Sequence, residues 1–221
     1  VLLTHWQGDG WAEGTKGQGQ NYFVSAGYKI NSRNELNFLI TGAPQYHDQN
    51  FTKALSTYFE SDGSLNAKFN NNYGYRAGEY ITSRRNYYHK PVANLNWEYK
   101  ISDIAKLSTV LYASWGRGGG TGGIGNSSNR KFTSRGYWDF DKIYELNQAS
   151  NGAAEYVLRS SVNNHSWYGI VSRLENKLSS SISTSIGIDA RSYHGSHFRQ
   201  VADLWGAPAY TQKPSTLYPT A

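Results

Sequence analysis

Between Ala93 and Trp115 the chain alternates apolar and polar residues along two successive arms, a pattern that few architectures tolerate. Ala93, Leu95, Trp97 and Tyr99 are apolar, and Asn94, Asn96, Glu98 and Lys100 are interleaved with them. On the second arm Leu107, Thr109, Leu111, Ala113 and Trp115 share one parity, with Ser108, Val110, Tyr112 and Ser114 on the other. Successive side chains of an extended strand point to opposite faces. Period-two alternation over each arm therefore predicts two strands whose faces meet different solvents. The join at residues 102–105 is short enough for a hairpin.

The rest of the chain repeats this plan. Residues 1–6 read as the outer end of a strand, and the Gly-rich stretch 7–20 reads as a loop. Residues 21–30 alternate, with Tyr22, Val24, Ala26, Tyr28 and Ile30 on one face, and residues 31–34 turn. Residues 35–43 place Leu36, Phe38 and Ile40 opposite Asn37 and Thr41; Pro44, which has no N–H to donate, is expected to end that strand. Long polar loops are expected at 45–82 and 117–165. Within the second, residues 138–148 space Phe140, Ile143, Tyr144 and Asn147 for one face of a short helix. Strands follow at 166–178, with Tyr168, Ile170 and Leu174 opposite Arg173, Glu175 and Lys177, and at 181–193. The latter sets Ile182, Thr184, Ile186, Ile188 and Ala190 against Ser183, Ser185, Gly187, Asp189 and Arg191. The tail from Leu204 holds three of the five prolines and reads as irregular.

Connections thus alternate short and long, which in an up-and-down sheet puts every short turn on one rim and every long loop on the other. Outer-membrane barrels have that asymmetry. Aromatic residues gather toward the two rims: Tyr22, Tyr46, Tyr87, Tyr88, Trp115, Trp167 and Tyr168 at the long-loop side, Tyr28, Trp97 and Tyr99 at the other. Amphipathic rings sit in this way at the two membrane–water boundaries. A soluble sandwich or barrel would turn its apolar face inward, a membrane barrel outward, and periodicity alone does not choose.

Composition narrows the function classes. The chain has no cysteine, so disulfides, thiolate metal sites and Cys nucleophiles are excluded together. The formal net charge of +6 is scattered, with Arg84-Arg85 the longest adjacent basic run, which argues against a nucleic-acid groove. No apolar run approaches the ~20 residues of a transmembrane helix, whereas a spanning strand needs only ~9–11 alternating residues. The chain starts in mid-pattern at Val1-Leu2-Leu3, without Met, and is read as a portion of a longer protein.

Chemical motifs are weak. Gly118, Gly120 and Gly123 have GxGxxG spacing, but NSSNRK follows where a phosphate-binding helix would have to open. His194 and His197 lack further ligands at a recognisable spacing, and Asp139 with Asp141 lacks the glycine and glutamate of a calcium loop. No nucleophile elbow or positioned carboxylate pair is present, so neither an enzyme nor a cofactor is expected. The loops offer a better signal. Trp6, Trp11, Tyr73, Tyr75, Tyr80, Trp138 and Trp205 stand among Gly, Asn and Ser, where they either stack on a ligand or pack the loops over the barrel mouth. Tyr75, Arg84, Tyr87, Trp115, Arg117 and Trp138 are the candidate ligand-binding residues, chosen by loop position and side-chain type.

Several segments in order, HWQGDGWAEGT, TGAPQYHDQN, SRRNYYHKPVANLNWEYKIS, STVLYASWGRGGGTG and SSVNNHSWYG, resemble the barrel of a TonB-dependent outer-membrane receptor of the Bacteroidota, SusC-like type. The resemblance extends to about Arg199. It implies an all-β fold, an antiparallel up-and-down transmembrane β-barrel of which residues 1–221 supply a portion, about seven strands with long extracellular loops. It further implies residence in the bacterial outer membrane, with the lipid bilayer as one partner. A TonB-type energy-transducing protein, acting through a plug outside this sequence, and a surface lipoprotein lid are others. The implied function is import of a large or scarce nutrient such as a glycan, peptide or metal chelate. Two alternatives stay open: a non-transporting surface β-sheet protein that binds carbohydrate, and a receptor-like structural member of a larger outer-membrane assembly.

Overall fold

The computed structural model describes residues 1–150 and 154–212. One large antiparallel sheet of nine strands dominates it. In chain order these are β1 (Leu2–Asp9), β2 (Lys16–Lys29), β3 (Asn34–Gly42) and β4 (Gln45–Asp48). A small hairpin, β5 (Tyr73–Arg76) and β6 (Glu79–Thr82), intervenes before β7 (Arg85–His89), β8 (Val92–Lys100) and β9 (Ala105–Gly125). The short β10 (Trp138–Asp139) leads into helix α1 (Phe140–Ala149), and β11 (Tyr156–Lys177) and β12 (Ser183–Asp203) complete the order.

Two pairs of the nine strands are collinear, so the sheet has seven staves. Gly42 of β3 lies opposite Tyr22, and Gln45 of β4 opposite Gly19, so the register against β2 is unbroken. β3 ends at Gly42, just short of Pro44, as the missing N–H of the proline suggested, and the stave resumes at Gln45. The Pro44 carbonyl still accepts from the Gln20 N–H at 3.0 Å, and one lost donor leaves the ladder on either side intact. Likewise β7 and β8 keep one register against β9 across Lys90-Pro91, with His89 opposite Arg117 and Val92 opposite Ser114. The staves follow chain order from β1 to β12, each antiparallel to the next. The expected plan of about seven strands, short turns on one rim and long loops on the other, is therefore present as a sheet.

The strands rise further than alternation indicated. β1 runs to Asp9 and β2 begins at Lys16, so the expected 7–20 loop shrinks to residues 10–15. Trp6 explains the difference, because its indole lies across Gly19, where a Cβ would come within 2.8 Å of Trp6 Nε1. A glycine facing a neighbour's ring is compatible with a strand even though its own propensity is poor. The same holds for GRGGGTGGIG, expected to open a loop at residue 117, which instead completes β9. The His165 ring fills the space above Gly116, and Tyr156 Oη lies 2.2 Å from the Cβ position of Gly123. β11 starts at Tyr156 rather than at residue 166, and β12 continues to Asp203 rather than residue 193. The tail is without strand over 204–212, and its remainder lies outside the described residues.

Register fixes the two faces. Leu95, Leu111 and Ile170 lie side by side in one row that also holds Phe38, Ala26 and Ala190. Ile186 shares their face four residues nearer the short turns, opposite Leu174. Asn96, Tyr112, Arg173 and Ser185 occupy the other face, where Arg173 Nε donates to Ser185 Oγ at 2.7 Å. Among the described residues nothing covers the apolar face: Leu111 is 48% exposed and Ile186 76%. Tyr22, Trp115 and Tyr168 border it above, and Tyr28, Trp97 and Tyr99 below. Trp167 and Tyr88 were expected in the upper border, but their parity places them on the polar face. From Leu107 to Trp115 the strand advances ~26 Å at ~3.3 Å per residue.

The buried core is at the long-loop end. Asp139 caps α1 by accepting from the Lys142 N–H, and the expected face forms, with Phe140, Ile143 and Asn147 buried. Phe140 and Tyr156 stack on Trp138 at 5.4 and 5.9 Å, and Trp205 meets it edge-on at 5.7 Å. Asn147 Nδ2 donates to the Tyr156 and Trp205 carbonyls at 2.8 and 3.1 Å, tying the start of β11 to the segment after β12.

Candidate functional site

The six residues singled out from the sequence do not converge. Trp138 is 5% exposed and belongs to the loop core. Its ring is packed by Phe132, Phe140, Tyr156 and Trp205, so it holds loops together. Trp115, Arg117 and Tyr87 share the parity of Leu111 and lie on the apolar-face side, above the band. There Tyr87 Oη is 2.7 Å from Ser160 Oγ, and Arg117 Nη1 donates to the Gly116 and His165 carbonyls. Tyr75 is exposed at the β5–β6 hairpin. Arg84 alone reaches the polar face, where its Nη1 lies 2.6 Å from the Cβ position of Gly122.

The polar face carries its own cluster on β9, β11 and β12. Trp167 meets Tyr112 and Tyr193 edge-on at 6.4 and 6.2 Å, and the Arg191 guanidinium lies 5.8 Å above the indole. His165 stacks on Tyr193 at 6.3 Å, and Tyr112 is accommodated over Gly169, whose Cβ position is 2.3 Å from the phenol oxygen. Two shielded polar atoms here have no hydrogen-bond partner among the described residues: Trp167 Nε1, a donor, and Asn94 Oδ1, an acceptor. Asn94 is the cross-strand neighbour of Tyr112, so both flank the same ring. Aromatic rings and one cation give a surface that can stack on a ring. Above this cluster Arg159 and Arg199 join Arg84 on the same face.

Sequence parity was enough to place Arg191 on this face. It missed Arg159, His165 and Arg199 because the strands were cut short of them. The alternation Arg159, Ser161, Asn163, His165, Trp167 is the signal that would have found them.

The long loops are joined by a second polar network. Glu13 accepts from Tyr137 Oη at 2.6 Å, from Tyr73 Oη at 3.3 Å and from Asn66 Nδ2 at 3.2 Å. Asp48, its side chain fully buried, takes a bidentate pair from Arg85 at 2.7 and 3.1 Å, and Tyr80 Oη lies 2.8 Å away. Burial, reinforced by Glu13, pushes the Tyr73 phenol up to about 12. Burial with the hydrogen bond to Glu13 raises Tyr137, and burial with Asp48 raises Tyr80. A raised phenol stabilises the fold fully below its unfolded value of ~10 and loses that contribution as pH rises through the folded value. We expect these three tyrosines to stay protonated at pH 11 in an absorbance titration at the tyrosinate band, and the loops to loosen between pH 10 and 12. Glu13→Gln is expected to bring Tyr73 and Tyr137 down together; an unchanged titration would separate Glu13 from them.

Asp139 and Asp141 are both engaged structurally, one in the helix cap and the other accepting from the Ala77 N–H at 3.0 Å. His194 and His197 point to opposite faces of β12, with His197 paired to Asn163 at 2.8 Å and His194 to Ser196 at 3.3 Å. Among the described residues no three His, Cys, Asp or Glu side chains are grouped to hold a metal ion. Comparisons with protein-family models, curated proteins and solved structures gave no match to this chain.

Proposed function

We propose that this chain forms part of the wall of an outer-membrane β-barrel, that of an energy-coupled importer of the TonB-dependent type. The observation that carries the proposal is the uncovered apolar face, bordered above and below by aromatic rings and backed by a polar face. A sheet whose apolar side meets lipid needs no second layer, and its polar side lines a wet lumen. With a strand tilt of ~35–45°, the ~26 Å of apolar strand corresponds to ~20 Å of membrane depth, near the ~25 Å band of such barrels. The ~70 Å length of the longest strands, at ~3.3 Å per residue, carries the wall well beyond that band on the long-loop side. No residue of this chain is assigned to energy coupling. The substrate, a glycan, peptide or metal chelate, would meet the Tyr112–Trp167–Tyr193 cluster as it passes along the polar face.

A surface β-sheet protein that binds carbohydrate without transporting it makes a different demand, because its apolar face must be covered by a second sheet. Fractionation of the full-length protein distinguishes the two. We expect retention in the outer-membrane pellet through high salt and alkaline carbonate, with release only by detergent. Release by carbonate alone would overturn the barrel assignment.

A further inference from the structure

We propose that Arg84, Arg159 and Arg199 bind an oxyanion carried by the ligand that enters along the polar face; this rests on the assignment of that face to the lumen. The three are brought together from separate elements. Arg84 precedes β7, Arg159 is on β11 and Arg199 on β12, opposite Ser161. Arg84 Nη1 and Arg159 Nη2 reach the same point above Gly122, at 2.6 and 3.5 Å from its Cβ position, so any side chain there would displace them. Arg159 Nη1 donates to Ser161 Oγ and to the Gly120 carbonyl, which aims the guanidinium along the sheet.

No carboxylate among the described residues pairs with this charge. The ion pairs among the described residues use Arg85, Lys100, Lys106, Arg135, Lys142 and Arg173, and none of the three arginines. Burial, followed by the nearby Arg199 and Arg84, lowers the affinity of Arg159 for its proton. Arginine does not relieve such crowding by deprotonating, so the cluster is held in readiness for an anion. Planar guanidinium forks match the oxygen geometry of phosphate and carboxylate. The floor is open as well: a Cβ on Gly120 would touch only Asn86 Nδ2 at 3.8 Å and the Arg85 carbonyl at 4.0 Å. An oxyanion resting above Gly120 would thus lie beside the guanidiniums without expelling a side chain.

Gly120 also supplies the probe. The chain has no cysteine, and Gly120→Cys fits without a clash. In intact outer membranes carrying the full-length protein, the Gly120→Cys thiol is reacted with water-soluble methanethiosulfonates bearing either a sulfonate or a quaternary ammonium. Focusing of the positive field is expected to favour the anionic reagent by at least ~10-fold. Arg84→Gln, Arg159→Gln and Arg199→Gln together are expected to bring the ratio back to that of free cysteine. Arg199→Gln alone, at an exposed position, is expected to lower it partway and guards against misfolding of the triple variant. Inorganic phosphate and acetate, each added as competitor, distinguish the two oxyanion classes, and the stronger competitor names the class. Equal rates with the two reagents, or no slowing by either competitor, would overturn the anion site alone. Labelling by neither aqueous reagent would instead overturn the lumen assignment.

Discussion

With the apolar face against lipid, as proposed, arginine at Leu95, Leu111 or Ile170 is expected to cost ~2–4 kcal/mol, whereas arginine at Asn96 or Ser185 should cost far less. The contrast is sharpest between Leu95 and Asn96, which are adjacent in sequence, share a strand and a depth, and differ only in face. Leu95, Leu111 and Ile170 form the central row of the apolar band, with the upper rings of Tyr22 and Trp115 and the lower rings of Tyr99 equally distant along the strands. In the proposed barrel a guanidinium in that row would sit near the middle of the hydrocarbon, too deep to reach water without distorting the bilayer. Ile186 lies four residues toward the short turns, so the same substitution there should approach the ~0–1 kcal/mol of an interfacial site. Equilibrium unfolding of the full-length protein in lipid would measure the series. The expected order is Leu95, Leu111 and Ile170 well above Ile186, and Ile186 near Asn96. Equal tolerance at Leu95 and Asn96 would show that the apolar face does not meet lipid, and Ile186 as costly as Leu111 would move the membrane midplane.

The sheet was legible in the sequence wherever its two faces differ, because alternation is the direct imprint of two environments on one strand. Leu95 against Asn96, and Ile186 against Ser185, were enough to assign face and neighbour. Above the band both faces are polar or glycine-rich, and the imprint fades. There the strand character of residues 116–125 depends on His165, Tyr87 and Tyr156 from other strands filling the space above glycines. Pairing of that kind is non-local, and the glycines by themselves suggest only a loop. The same limit hid the candidate site. Arg84, Arg159 and Arg199 stand 75 and 40 residues apart along the chain, and only the β7–β9–β11–β12 register brings them to one face. Trp138 shows a related limit: among polar neighbours an aromatic residue reads equally as a binding surface or as loop packing until its partners Tyr156 and Trp205, from distant segments, are seen around it.

That enclosure makes Trp138→Ala a strongly destabilising change in the loops. Truncating a buried tryptophan costs ~3–5 kcal/mol, the lost transfer energy plus the cavity left behind. Here the ring is the common contact of Phe132, Phe140, Tyr156 and Trp205, so its removal loosens α1 against both β11 and the segment after β12, leaving Asn147 and the Phe140–Trp205 contact to hold it. Its backbone also matters, since Trp138 pairs with Gly74 in the small sheet and holds the β5–β6 hairpin against α1. β11 meets this cluster through Tyr156 and Leu158, at its end away from the apolar band, so the loss should be a local opening of the loops with the rest of the sheet intact. Hydrogen exchange would report it. Amides of Phe140–Ala149 and of Tyr156–Leu158 are expected to lose protection in Trp138→Ala, while those of β8 and the lower half of β9 remain unchanged. Trp138→Phe should retain part of the protection, and Trp115→Ala, on the exposed wall, should leave it intact. If Trp138→Ala left exchange in α1 unaltered while abolishing ligand binding, Trp138 would be a ligand contact after all, and its stacked neighbours would have to move apart to admit the ligand.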